Sequence, residues 1–313
     1  MNSSKIRIIF IVLLPFALNH RLKAQNYKEY MYNVNMAGYY SDSNLDSNIY
    51  YYKKAFKAVA RPISDDLLFC AVSYAKSGHK KELLRCFKEL RKRGYSSEKI
   101  FEIDYDSVFY KYTESNEWKK IEQTIKPEID YDLAIELSEY LGADQFVRDR
   151  WQDSILRCHL HETDSITTEN MLEIIKEQGF PGDIKLGCYS AKSLILTIHI
   201  ISDYGNKETW NTFWQPLLLN EAERGNISYS HYAFLKDRYY EIYEKVSYYG
   251  TNYSVTGYKP NMSMDDIRKL PKIYDLPIKD IKNVDKRRAE IGLPPLKTEA
   301  KFMNITLPAD YQP

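Results

Sequence analysis

The chain has almost no net charge: 44 lysines and arginines face 43 aspartates and glutamates across 313 residues. It therefore has no global field to draw in nucleic acid or an anionic membrane surface, and neither is expected as a partner. No long apolar run follows Leu18, and the mean hydropathy is negative, which excludes a multi-span membrane protein. Cysteine is scarce, with Cys70, Cys86, Cys158 and Cys188 alone present. Four cysteines allow three full pairings and the sequence chooses none. They read as small buried core thiols, with a Cys70–Cys86 bridge across the turn at Gly78-His79 as the alternative. Also missing are a Walker loop, a dinucleotide fingerprint, a nucleophile elbow and a His-Glu-x-x-His helix. No cofactor is assigned.

Tyrosine, by contrast, is abundant, with 28 against 12 phenylalanines. At half-buried positions Tyr does the packing work of Phe, and that reading is preferred to an aromatic groove for sugar or peptide. The N-terminus has the form of an export signal. Lys5 and Arg7 precede the apolar stretch Ile8 to Leu18, and Leu22-Lys23-Ala24 forms a small-residue ending before Gln25. Cleavage is expected after Ala24. No cysteine follows the apolar core, so the mature chain is expected to be periplasmic or secreted, without a lipid anchor or membrane span. Its length suggests two domains, expected at residues 25–127 and 128–313.

From Asn26 to Asn48 the repeated Asn, Ser and Asp signal turns. A helix carrying Tyr51, Ala55, Ala58 and Val59 then ends at Arg61-Pro62. Ser64 or Asp65 is expected to cap the next, whose stripe Leu67, Leu68, Ala71, Val72 and Ala75 runs to Gly78. A third helix, Lys80 to Arg93, buries Leu83, Leu84, Phe87 and Leu90. The pair resembles a tetratricopeptide unit: Leu67, Cys70, Ala71, Tyr74, Gly78, Leu83, Phe87 and Leu90 stand at that family's helix-contact spacings. Tyr105 to Ile125 is a divergent second unit. The resemblance implies contact with a protein or peptide, or a purely structural cap.

After Lys126-Pro127 helical patterning resumes. Asp144 and Arg148, four apart, share a helix face. From Asp144 to Leu296 the chain resembles a bacterial domain-of-unknown-function family, numbered six-six-two-four. The resemblance is carried by Asp144, Gln145 and Arg148, by Asp164 with Gly179-Phe180-Pro181, and by Gly187 and His199. It continues through Asp237-Arg238, Tyr249-Gly250-Thr251, Arg287-Arg288 and Gly292-Leu293. This chain departs from that pattern at Thr167, Ile200-Ile201, Ser247 and Asn252. The resemblance brings no particular activity with it.

Read directly, Asp164 opens an amphipathic helix closed at Gln178, and His199 lies beside the stripe of a helix from Tyr189 to Ile201. Val246 to Tyr253 reads as a strand or tight hairpin, Met264 to Leu270 as a helical turn, and a last helix begins at Asn283 or Asp285. Cys158, His159, His161, Glu162 and Asp164 are close in sequence, yet lack a second ligand pair at zinc spacing, so no metal is assigned. The expected fold is mainly α: tetratricopeptide-like hairpins, then a helical domain with a small β-hairpin. Two functions fit. The first is an exported protein- or peptide-interaction module of the cell envelope. The alternative is an extracytoplasmic enzyme, in its simplest form a hydrolase. Its site would be built from Asp144, Arg148, His199, Asp237 and Arg238, with His199 and Asp237 as catalytic candidates. Gln145, Tyr249, Thr251, Arg287 and Arg288 complete the binding candidates. The oligomeric state is left open.

Overall fold

Asn26 opens the first helix, its side chain accepting a hydrogen bond from Glu29 N at 3.0 Å. The computed structural model describes residues 26–103, 107–150, 152–204, 206–259 and 262–312. The leader expected at Met1–Ala24 lies outside them. Residues 26–48, expected as turns, instead form helix α1 (Tyr27–Tyr39) and the start of α2 (Leu45–Ala58). Two kinds of residue misled the sequence reading. The tyrosines Tyr27 and Tyr30 act as core residues beside Met31 and Val34, and the asparagines cap helices or bond within them. Asn44 caps α2 through Ser47 N, and Asn48 donates to Ala37 O across the α1–α2 pair.

Helices α3 (Ser64–Lys76) and α4 (Lys80–Lys92) form the expected hairpin around Gly78, at φ +72°. Leu67, Cys70, Ala71, Tyr74, Leu83, Phe87 and Leu90 are all buried there. The cap of α3 differs from expectation. Ile63 occupies the N-cap position and offers no side-chain bond, while Asp183, far along the chain, accepts from Ser64 N at 3.0 Å. A distant carboxylate thus serves the helix end where a local hydroxyl was expected. Short helices α5 (Ser97–Ile103), α6 (Ser107–Thr113) and α7 (Asn116–Thr124) follow. The Trp118 and Phe109 rings meet Phe87 edge-on, and Trp118 Nε1 donates to Ser97 Oγ at 2.7 Å.

Helix α8 (Tyr131–Arg148), capped by Asp130, packs on the 25-residue α9 (Ser154–Gln178). Helix α9 starts ten residues before Asp164, so that residue lies within the helix and does not cap it. The short α10 (Asp183–Leu186) leads to α11 (Ala191–Tyr204), then α12 (Lys207–Thr209), a π turn at Trp210–Trp214, α13 (Gln215–Glu223) and α14 (Tyr229–Tyr243). The main core joins α1 and α2 to these later helices. Tyr27, Tyr30, Val34 and Ala55 share it with Leu137, Met171, Ile200, Trp210, Leu218 and Tyr232.

The remainder contains β1 (Ser254–Val255), α15 (Met264–Lys269), β2 (Lys272–Ile273), α16 (Val284–Glu290), α17 (Leu296–Met303) and β3 (Ile305–Thr306). Strand β2 is central, antiparallel to β1 and parallel to β3. The chain is therefore mainly α-helical with paired helices and one small sheet. That sheet is not the hairpin expected at Val246–Tyr253. Its first strand begins at Ser254, because residues 248–251 are folded around a buried aspartate. Helix α17 follows the helix expected to be last, entered through Pro295, whose missing N–H costs nothing at a helix start.

Glycine is required where α1 crosses the C-terminal region. A Cβ on Gly292, at φ +74°, would lie 2.0 Å from Lys28 O, whereas one on Gly78 would meet nothing within 4 Å. Gly78→Ala is expected to cost about 1 kcal/mol, from its left-handed backbone alone. Gly292→Ala is expected to cost about 3 kcal/mol or more, since strain and overlap add. Urea unfolding of both variants checks this, and equal losses would refute the crossing.

Candidate functional site

Asp144 lies near the end of α8, buried against α9 and α11. Its carboxylate accepts from Arg148 Nε (2.9 Å), one helical turn on, and from Gln145 Nε2 (2.7 Å). The third donor comes from α11: His199 Nδ1 stands 3.0 Å from Oδ1 and 2.9 Å from Oδ2. Burial works to raise the Asp144 carboxyl, but the bonds from His199, Arg148 and Gln145 prevail, and its pKa falls below the ordinary value. The carboxylate is therefore anionic and can only accept, so Nδ1 must carry the proton. In a neutral ring this leaves the Nε2 lone pair, which no hydrogen bond occupies among the described residues, on a side chain that is 22% exposed. Arg148 also bonds Asp164 Oδ1 through Nη2 at 2.5 Å. Asp164 is thus the far wall of the Arg148 site.

Arg238 approaches along α11. Its Nε donates to Ser202 Oγ at 3.1 Å, one turn beyond His199. Half-buried on α14, it has no ion pair among the described residues.

The five residues expected to converge divide at this point. Asp144, Arg148 and His199 meet, and Arg238 borders them. Asp237 lies elsewhere, fully buried and wholly committed to the turn that follows its helix. Its Oδ1 accepts from Tyr248 N and Tyr249 N, both at 2.6 Å, and its Oδ2 from Thr251 N and Oγ1, both at 2.7 Å. Four neutral donors satisfy its charge with no arginine among them. Asp237 is consequently not placed to transfer a proton to a ligand.

The other candidates serve that same turn. Arg287 donates to Tyr248 O, and the buried Arg288 to Tyr249 O (2.8 Å) and Pro294 O (2.6 Å) while pairing with Glu299. Tyr249 is buried, and Thr251 is held by Asp237. Two departures from the family pattern belong here too: Gly250 N donates to Ser247 Oγ, and Asn252 Nδ2 to Glu241. Charge and hydroxyls in this region hold a loop in shape. Farther away on α9, His159 Nδ1 pairs with Glu162 and Cys158 Sγ donates to Ser154 O. All four cysteines are free.

Lys236 escaped the sequence reading. It is buried, with Nζ 4.1 Å from the Tyr248 ring centre, 5.6 Å from Tyr249 and 5.9 Å from Tyr232. Burial, aided by Arg287 and Lys279 and opposed by Asp237 and Glu290, pulls its ammonium down to about 8. The available signal was its position, four residues from both Tyr232 and Tyr240 on the apolar side of α14.

No family model, curated protein or solved structure matches this chain.

Removing the Asp237 carboxylate would leave its buried donors unmet, so Asp237→Ala is expected to cost about 3 kcal/mol or more. His199→Ala, which removes one hydrogen bond at a partly exposed side chain, is expected to cost about 1 kcal/mol or less. Chemical denaturation ranks the two, and the reverse order would overturn these assignments. Lys236 gives a pH dependence. Unfolded lysine releases its proton near 10.4, well above the folded value, so in between the unfolded state binds more protons and Lys236 favours folding increasingly as pH rises. The stability of the wild type relative to Lys236→Met should therefore grow from about pH 8 to 9.5. A constant difference would refute a depressed lysine.

Proposed function

We propose that this chain is an extracytoplasmic acid–base enzyme, in its simplest form a hydrolase, with His199 as its general base. The observation that carries the reading is the Asp144–His199 pair. A buried anionic carboxylate fixes the ring through Nδ1, and Nε2 is left without a partner among the described residues. In the reaction, Nε2 takes a proton from water as the water oxygen attacks an electrophilic carbon or phosphorus. The imidazolium then returns that proton to the leaving group as its bond breaks. Asp144 stays anionic throughout, orienting the ring and stabilising its charged form, with Arg148 and Gln145 holding the carboxylate in place. Arg238, bonded to Ser202 through Nε, is the side chain suited to an anionic part of the substrate. The similarity to the bacterial family over Asp144–Leu296 is kept within this proposal, because its Asp-Gln-x-x-Arg segment and its histidine supply the pair.

A second reading keeps the tetratricopeptide-like helices as a protein- or peptide-interaction surface. It is favoured by the large exposed aromatics Tyr50 and Phe69, each 55% exposed. Turnover separates the two. On p-nitrophenyl butyrate and p-nitrophenyl phosphate, His199→Ala is expected to lower kcat/KM by about 100-fold or more while the chain stays folded, with a stability loss of about 1 kcal/mol or less, and Asp144→Asn to follow it. Turnover by the wild type no faster than by His199→Ala would remove the catalytic reading. Export is tested on the same preparation: protein from the envelope fraction should lack the residues through Ala24, and retention of Met1 would count against it.

A further inference from the structure

A cavity of about 600 Å³ opens between α2, α3 and α4, away from Asp144 and His199. Four cations line it, Arg61, Arg85, Lys92 and Arg93, against two carboxylates, Glu89 and Glu128. The neighbours of these groups decide what the cavity can hold. Arg61 is paired with Asp183, and Lys92 with Glu89 at 3.0 Å. Arg85 has no hydrogen bond or ion pair among the described residues. Arg93 is the unusual group, being only 5% exposed yet, among the described residues, without a carboxylate at ion-pair distance. It gives one hydrogen bond, to Pro62 O, out of the five donors a guanidinium carries. Asp183 acts on it most strongly of the neighbouring charges, but that carboxylate is already taken by Arg61 and by Ser64 N.

A guanidinium cannot shed its proton to escape burial, and since no Arg93 nitrogen is both buried and unbonded, its unspent donors open on the cavity. The backbone of Arg93 is pinned as well. Its carbonyl accepts from Cys188 N at 2.9 Å, and a Cβ on Gly187 would lie 2.3 Å from that oxygen. The charge is thus held at the floor of the cavity. Around it the walls are apolar: Phe56, Leu67, Ile129 and Ile184. The carboxylates Glu89 and Glu128 are exposed at the rim, as is Arg85.

We propose that this cavity binds an organic anion, a single carboxylate or phosphate monoester on an apolar body. Arg93 takes the acidic group, Arg85 adds attraction at the mouth, and Phe56, Leu67, Ile129 and Ile184 pack the body. The volume is within the range of small-molecule sites, and a pair of oxygens on a carboxylate or a phosphate matches the forked donors of arginine. Neither half of such a ligand suffices. The acid alone leaves the apolar walls wet, and the apolar body alone leaves Arg93 uncompensated.

Calorimetric titration of the full chain tests this, with decanoate, decyl phosphate, decanol and inorganic phosphate as probes below their micellar concentrations. At least one amphiphilic anion is expected to bind about tenfold or more tighter than both decanol and inorganic phosphate, and the tighter of the two anions identifies the acidic group. Arg93→Gln should abolish that preference over decanol. Since it also loses a structural bond, two variants at exposed positions accompany it. Ala60→Trp fills the cavity from a lining residue and should abolish binding without shifting the unfolding midpoint. Arg85→Gln should weaken the anions about threefold while leaving decanol unchanged. Equal affinity for decanol and decanoate, or anion binding retained in Ala60→Trp, would overturn the proposal.

Discussion

Much of the structure depends on the carboxylate of Asp183. It accepts from Ser64 N at the start of α3 and from Arg61 just before it, while its own N–H donates to Asn226 O at 2.8 Å. Three segments far apart in the chain are joined there without a shared covalent link. The same loop holds α8, because Lys185 O accepts from Asp130 N at 2.9 Å, and four residues after Gly187 it begins α11. Asp144 rides on α8 and His199 on α11. One buried anion thus aligns the two helices that bring the acid–base pair together, and through Arg61 it also shapes a wall of the cationic cavity. Loss of this junction would leave a helix end, an arginine and a carboxylate unmet together, and such costs compound because the partners are shared.

The buried charges divide into two kinds, and the division separates scaffold from site. Asp237 and Arg288 use their bonding capacity on backbone and on one another's turn, so nothing is left for a ligand. His199 and Arg93 retain capacity: Nε2 on the ring, and most of the donors on the guanidinium. Residue type does not distinguish the two, since arginine occurs in both. Geometry does, because a charge in a low-dielectric setting must be met by something, and only the positions of nearby N–H and C=O groups decide whether the protein itself supplies it.

The helices with clean apolar periods were legible in advance. Leu67, Leu68, Ala71, Ala75, Leu83, Phe87 and Leu90 are buried as their spacing required, with Val72 and Leu84 half-buried beside them, and the Asp144–Arg148 pair forms because residues four apart share a helix face. The early segment was misread because tyrosine and asparagine have double roles. Tyr27 and Tyr30 read as polar but lie in the core, and Asn26 and Asn44 read as turns but cap helices. Asp164 was misread for a related reason. An aspartate preceding an apolar period resembles a cap whether or not the helix has already begun.

By itself the sequence determined a mainly helical chain, the α3–α4 hairpin around Gly78, and the local bond between Asp144 and Arg148. All three follow from interactions within a few residues, where spacing is geometry. Only the tertiary structure decided that His199 joins Asp144 across 55 positions while Asp237 closes a loop of its own. It alone decided that Asp183 caps a helix 119 positions away, and that Arg93 lies at the floor of a cavity with most of its donors unspent. The physical reason is common to all of these. A buried charge takes whichever complementary groups the packed chain places within about 3 Å, and that distance depends on how distant helices stack, which no local spacing encodes.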